Sequence, residues 1–325
     1  MWKGEELGST IGHSFRLTTF GESHGGAVGG VIEGCPPGIV LDNNAIRTAL
    51  NARRTGASIG ASARKEADDV VWLSGLDDGV TLGTALAFMV LNKDADPASY
   101  APFKDLYRPS HADYTYESRY GLRTWAGGGR ASARETVSRV IAGCVAQQVL
   151  DALGAVEIIG WVESIGAVVS DVNKEMVSRE QINASPVRCP DENASSKMVS
   201  AITLARKEKD SLGGVIRAVA RGIPAGLGAP VFDKLDADLA KAMLSIPSVK
   251  GFEIGSGFSG TQQRGSQHND PFVPDGKGGI ATSKNDSGGI QGGISNGMEI
   301  TIRVAFKPVA TIFIPQDTVD NQGRA

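Results

Sequence analysis

The clearest hydrophobic rhythm along the chain lies between Ala133 and Leu150. There Ala133, Val137, Val140, Ile141, Cys144, Val145 and Val149 recur at helical spacing, which predicts a long helix with one core-facing stripe. Phe15–Phe20 and Glu299–Phe306 alternate instead, as half-buried strands do, and the second places Ile300, Ile302, Val304 and Phe306 on one face. Between such runs the glycines gather at 21–38, 121–129, 213–228, 251–260 and 276–297, positions that read as tight turns or ligand loops. Two stretches share a rhythm. Val31–Leu50 runs through Gly34-Cys35-Pro36-Pro37-Gly38, an apolar segment, Asp42 and a helix, and Val215–Leu244 runs through Gly222-Ile223-Pro224-Ala225-Gly226, an apolar segment, Asp233 and a helix. A duplicated unit accounts for both. Ser170–Asp210, polar and broken by Pro186 and Pro190, reads as the most linker-like segment, without dividing the chain into independent domains.

Composition narrows the class. With 325 residues, 41% hydrophobic and 21% charged, the chain can bury a sizeable core and is globular rather than disordered. A net charge of -3 argues against a general nucleic-acid or anionic-membrane binder, so any anion site is local. Cys35, Cys144 and Cys189 are odd in number and form no C-x-x-C pair, which indicates neither a disulfide framework nor a thiolate metal site. No apolar run approaches the roughly 20 residues that span a bilayer, and the segment Met1–Glu6 lacks the layout of a secretory signal. The expectation is a cytoplasmic protein, or a plastid one whose transit peptide has been removed.

Two of the four histidines stand in unusual surroundings: His24 in Gly21-Glu22-Ser23-His24-Gly25, and His111 in Arg108-Pro109-Ser110-His111-Ala112-Asp113-Tyr114. Imidazole titrates near neutrality, so each can move a proton at cellular pH. Gly127–Gly129, Arg130, Ala131, Ser132, Ala133, Arg134 and Glu135 open the long helix. Ser132 with Glu135 three residues on reads as a capping box that starts the helix at Ser132, and the flanking arginines make this end a site for phosphate or carboxylate. Arg53 and Arg54 follow a predicted helix and can fork onto an oxyanion, although adjacent arginines are more often a solvated face. Ser287–Gly297 carries five glycines in eleven residues before the strand near Met298. It is neither a dinucleotide fingerprint nor a Walker A loop; a surface loop is the plain reading, and a bare backbone for a flat ligand such as a flavin ring is the sharper one. His13 and His268 are expected to be structural or exposed. No metal-ligand spacing and no Gly-x-Ser-x-Gly elbow occur, so no catalytic metal and no serine hydrolase is expected.

In this order, Phe15–Gly25, Arg108–Tyr116, Gly127–Thr136, Val249–Gly255, and Ser287–Gly297 with Lys307-Pro308 resemble the chorismate synthase family, over about Gly12 to Asp320. The resemblance implies anti 1,4-elimination of phosphate and a ring hydrogen from 5-enolpyruvylshikimate 3-phosphate, giving chorismate, with reduced FMN (FMNH2) required and no net redox change. It implies His24 as the acid assisting phosphate departure and His111 as the group that protonates the reduced flavin or holds its ionisation state. Arg53, Arg54, Ser132 and Arg134 would bind substrate; Arg130, Ala131, Ser132, Ser248, Gly292, Lys307, Pro308, Val309, Ala310 and Thr311 would hold FMN. The implied fold is α+β, a sandwich of helices packed between antiparallel sheets with an internal pseudo-duplication. A homotetramer of single catalytic domains spanning 1–325 is implied too.

The chain departs from the family pattern in three places. The family usually reads Asp-Arg-Arg-Arg-Pro-Gly where this chain has Asn51-Ala52-Arg53-Arg54-Thr55-Gly56, which predicts weaker substrate affinity, and Ile59 replaces another family arginine. The sequence also stops at Gly323-Arg324-Ala325, before the family's Gly-Arg-His-Asp-Pro block, so the C-terminal end is expected to be incomplete. Two other readings stand beside the enzyme: a flavin- or phosphate-binding homologue without turnover, and a bifunctional form that reduces its own flavin with NADPH, for which no nicotinamide site is legible.

Overall fold

Strand alternation and one helical stripe assemble the first half of the chain. In the computed structural model, which describes residues 8–53, 68–93, 98–173 and 176–325, contacts divide the chain into two compact units. Unit 1 comprises residues 1–153 and 313–325; unit 2 comprises 154–312.

Unit 1 is built on an antiparallel five-stranded sheet of β1 (Thr10–Ile11), β2 (Arg16–Gly21), β3 (Ala27–Glu33), β7 (Leu86–Leu91) and β4 (Val71–Ser74), in that spatial order. A small hairpin, β5 (Leu76–Asp77) and β6 (Val80–Thr81), lies between β4 and β7 in sequence. Leu17, Val28, Ile32, Phe88 and Val90 point from the sheet into one core. There they meet Ile46 and Leu50 of α1 (Asn43–Arg53) and Val137, Ile141, Val145 and Val149 of α3 (Thr136–Leu153). The predicted stripe is thus the core face of α3. Its start differs from the expected one. Residues 133–135 form a tighter 3-10 turn, Ser132 accepts from the Arg134 amide at 3.3 Å, and α3 proper begins at Thr136. The capping box does not form, because the Glu135 carboxylate turns away to accept from Thr19 Oγ1 (3.1 Å) and Arg139 Nε (3.0 Å). A short helix, α2 (Asp113–Tyr120), completes the unit and ends on Gly121 in the left-handed conformation.

Unit 2 holds a second antiparallel five-stranded sheet, ordered β11 (Val249–Ile254), β16 (Ile300–Phe306), β10 (Gly214–Arg221), β8 (Glu157–Ile165), β9 (Val168–Val169). As the alternation predicts, Ile300, Ile302 and Val304 share one buried face, which packs against Leu235, Leu239 and Met243 of α6 (Leu235–Leu244). The segment read as linker-like is folded. It forms α4 (Arg179–Ala184), with a capping box at Ser178, and α5 (Glu192–Lys207), capped by Asp191 and packed through Met198. Pro186 and Pro190 lie between the two helices; prolines that looked like linker markers instead separate one helix from the next. The shorter elements are α7 (Gly265–His268) and the hairpins β12 (Phe272–Pro274) with β13 (Ile280–Thr282) and β14 (Ile290–Gln291) with β15 (Ile294–Ser295).

The shared rhythm has a structural counterpart. After β3 and again after β10 the chain turns through a five-residue segment bounded by left-handed glycines, Gly34 and Gly38 (φ 79° and 85°) and Gly222 and Gly226 (φ 76° and 104°), before a helix that packs within its own unit. The fold is α+β, with helices on antiparallel sheets.

Candidate active site

His24 lies on the loop between β2 and β3. Gly25 donates its amide to Glu22 O at 3.1 Å and closes the loop beneath the imidazole. The ring meets Tyr100 edge-on, with centroids 5.0 Å apart. Its other neighbour is Gly127, whose φ of +74° is left-handed. A Cβ there would stand 2.5 Å from His24 Cδ2, so glycine is required both by backbone conformation and by the ring. The same glycine loop is tied to the histidine loop through Ser23 N–H to Gly129 O (3.4 Å) and Thr124 Oγ1 to Glu22 Oε2 (2.9 Å).

His111 occupies the turn before α2. Ser110 has φ +58°, and the His111 amide donates to Arg108 O at 3.1 Å. Imidazole Nδ1 lies 3.0 Å from Pro109 O; a carbonyl only accepts, so Nδ1 carries the hydrogen and Nε2 of the neutral ring keeps its lone pair. The turn is held by Asp113, a buried carboxylate that accepts from the Arg108 amide (3.0 Å), Arg108 Nε (2.9 Å) and Arg108 Nη2 (2.8 Å) and stands 3.6 Å from Arg123 Nη1. Burial works to raise the Asp113 carboxyl, but the hydrogen bonds and charges of Arg108 and Arg123 outweigh it and hold the group below the ordinary carboxylate range. The Asp113 hydrogen bond likewise raises the Arg108 guanidinium against the effect of burial. Arg108 also donates to Gly127 O (2.9 Å) and lies over the Tyr100 ring at 5.7 Å, so one guanidinium braces surroundings shared by both histidine loops. Residues 318–321 flank this turn: Tyr107 N–H donates to Val319 O (3.1 Å), and Thr318 donates to Tyr107 O.

The expected arginines fall into two kinds. Arg53 and Arg134 converge on Asp68, 7% exposed: Arg53 Nη1 at 3.1 Å, and Arg134 Nη1 in a short bond. Arg53 donates further to Thr136 Oγ1 and Ala133 O, both at 3.2 Å, and Arg134 Nε donates to Asn92 Oδ1 at 2.9 Å. Arg130 instead secures the end of β2, donating to Thr19 Oγ1 (2.7 Å), Thr19 O (3.2 Å) and Gly21 O (3.3 Å). Arg54, and with it Thr55, Gly56 and Ile59, lies outside the described residues.

In unit 2, Ser248 takes φ +71° and its carbonyl accepts the Lys307 amide at 3.0 Å, which brings the 248 turn beside the start of 307–311. The glycine-rich segment forms the β14–β15 hairpin, with Gly292 and Gly293 at φ +62° and +84°, both positive as a two-residue primed turn requires. Gly293 is packed against Lys234, whereas nothing lies within 4 Å of the space a Gly292 side chain would fill. The Ser248 turn and Lys307 adjoin just after β16, whereas Gly292 belongs to the hairpin before its start; an ammonium at the one and an exposed glycine backbone at the other are the chemistry that a flat, phosphate-bearing ligand such as FMN calls for. His268 is half-buried and hydrogen-bonds Ser256 Oγ at 2.9 Å; His13 is exposed.

Sequence reasoning missed Asp68, Asn92, Tyr100 and the roles of Gly127 and Asp113. Only Asp113 left a signal, through its spacing from Arg108 across the histidine turn. The others act across gaps of tens of residues.

Two imidazoles braced by one guanidinium, and two arginines on one buried carboxylate, are groups suited to acid–base chemistry on a small anion. The comparisons name the chain's family. The sequence model described as chorismate synthase matches residues 15–325. Chorismate synthases from Acaryochloris marina (52% identity) and Synechococcus elongatus (54% identity) each align over 319 residues, covering 98% of this chain and 88% of their own length. A crystal structure of a chorismate synthase superposes with a TM-score of 0.77 at 32% identity, over 91% of this chain and 84% of that one. The chain belongs to the chorismate synthase family, lyases of the shikimate pathway. Among the described residues no helix is long and apolar enough to cross a membrane.

Proposed function

We propose that this chain converts 5-enolpyruvylshikimate 3-phosphate to chorismate and phosphate by anti 1,4-elimination, using reduced FMN as cofactor. The observation that carries this reading is the pairing of Arg53 and Arg134 on one buried carboxylate, within a framework that also carries the His24 loop. Two guanidiniums around one carboxylate leave net positive charge for an arriving oxyanion, and that attraction grows as the leaving phosphate gains charge. His24 donates a proton to the departing phosphate oxygen. The half-buried, edge-stacked ring is held with few alternative poses, which keeps the donor oriented. His111, with Nδ1–H committed to Pro109 O, presents Nε2 as the nitrogen that holds or delivers a proton toward the flavin. Arg54 and Ser132 join the substrate-binding set.

Bound FMN, in its reduced form, supplies an electron-rich ring. Arg130, Ala131, Ser132, Ser248, Gly292 and Lys307 to Thr311 are the residues proposed to hold it. The enzyme works as a cytoplasmic homotetramer. Anaerobic incubation of the chain with 5-enolpyruvylshikimate 3-phosphate and chemically reduced FMN is expected to release phosphate and chorismate together. Tight flavin binding with no phosphate released would instead identify a binding homologue. Turnover with NADPH and oxidised FMN, without added reductase, would identify a bifunctional form.

A further inference from the structure

Asn92 is the first residue after β7, and nothing in the sequence separates it from an ordinary strand-ending asparagine. Its backbone N–H donates to Gly26 O at 3.0 Å. Its side-chain Nδ2 donates to both Glu22 O (2.9 Å) and Gly25 O (2.7 Å), the carbonyls on either side of His24. Its Oδ1 accepts from Arg134 Nε at 2.9 Å. Two carbonyls demand the NH2 end and a guanidinium demands the oxygen, so the amide can face only one way. An aspartate in its place offers no donor. Gly25 and Gly26 contribute no side-chain packing of their own, which leaves the amide head as a principal tether of this loop.

From this geometry we propose that Asn92 is a positioning residue that locks the His24 loop to the Arg134 guanidinium, so that the anion-binding arginine and the proton donor keep a fixed relation. The continuous path is His24 loop, Asn92, Arg134, Asp68, Arg53. An anion that displaces Arg134 by a fraction of an ångström moves the loop with it, because every link is a directional hydrogen bond. This inference rests on the roles proposed above for His24 and Arg134.

Asn92→Asp keeps an acceptor for Arg134 and removes both donors to the loop; Asn92→Ala removes everything. In the full chain with reduced FMN, N92D is expected to lower kcat roughly 10²-fold, the scale for misplacing a catalytic group by about 1 Å, with a much smaller change in KM. N92A is expected to lower kcat equally and to raise KM as well, since Arg134 loses its support. A second readout needs neither flavin nor turnover. The imidazole NMR signal of His24, assigned by its loss in His24→Ala, is expected to shift when inorganic phosphate is titrated into the wild-type chain and to stop responding in N92D. Wild-type kcat in N92D, or an undiminished phosphate response of His24, would overturn the proposal. Absence of turnover in the wild type counts against the proposed function alone, and the phosphate response still decides the coupling. If neither Asn92 variant folds, Arg134→Lys keeps the charge but lacks Nε–H, and a wild-type phosphate response there defeats the idea equally.

Discussion

At the scale of single residues, the site is organised by groups whose chemistry is fixed by a neighbour. His111→Ala removes the only imidazole on its turn while leaving the Arg108–Asp113 brace. Turnover is expected to fall by roughly 10²-fold or more, with FMN affinity nearly unchanged, as stopped-assay rates and flavin titration would show. Asp113→Ala strands Arg108 and Arg123 in a buried setting; breaking such a pair costs about 3–5 kcal/mol, readable as a shift in the denaturant midpoint. Gly127→Ala meets two penalties at one atom. The left-handed backbone costs about 1–2 kcal/mol for an L side chain, and the added carbon collides with the His24 ring, so activity should fall further than stability alone explains. Of these requirements, only the pairing of Asp113 with Arg108 leaves a trace in the local sequence, through their spacing across the turn.

Elements show why some patterns were readable and others misled. The α3 stripe was legible because one helix face meets one core, so periodicity maps directly onto burial. The same logic served β16, where alternate residues take opposite sides of the sheet. The capping box failed for a tertiary reason: Glu135 has better partners in Thr19 and Arg139 than the amide behind it, and the first turn tightens. The 170–210 region misled because polar composition does not forbid helices that are capped at Ser178 and Asp191 and buried on one narrow face. The β14–β15 turn offers an element-level test. Gly292→Asn, which tolerates the left-handed conformation, is expected to preserve the melting temperature while weakening FMN binding through the side chain placed in open space; Gly293→Ala should instead destabilise the hairpin against Lys234.

For the whole molecule, each unit carries ion pairs that set its response to acid. In unit 2, Glu163 accepts from Arg217 Nε (2.9 Å) and Arg303 Nε (2.7 Å), and Arg303 reaches Glu253 at 2.6 Å, so that two arginines on the neighbouring central strands β10 and β16 are linked to carboxylates on β8 and β11. Burial would raise the Glu163 carboxyl, but Arg303 and Arg217 hold it below its ordinary range, as Arg108 does Asp113 in unit 1. Carboxyls depressed in the folded state stabilise it fully above the unfolded carboxylate range, near pH 4, and that stability is lost as pH falls through this range toward the folded values. The melting temperature should therefore be flat near neutrality and drop below about pH 4.5. Glu163→Gln should make the acid side less steep.

The linear chain by itself determined the periodic elements, the glycine turns, the family and the two histidines, because each is a local pattern or a residue type that the chemistry demands. Tertiary structure alone decided which groups work together. Arg134 meets Asp68 and Asn92 only because β7, the segment before β4 and the start of α3 are drawn to one end of a sheet, and the same packing brings Arg130 onto the end of β2. Hydrogen bonds between residues tens of positions apart depend on loop closure and core burial, quantities that no short window of sequence contains.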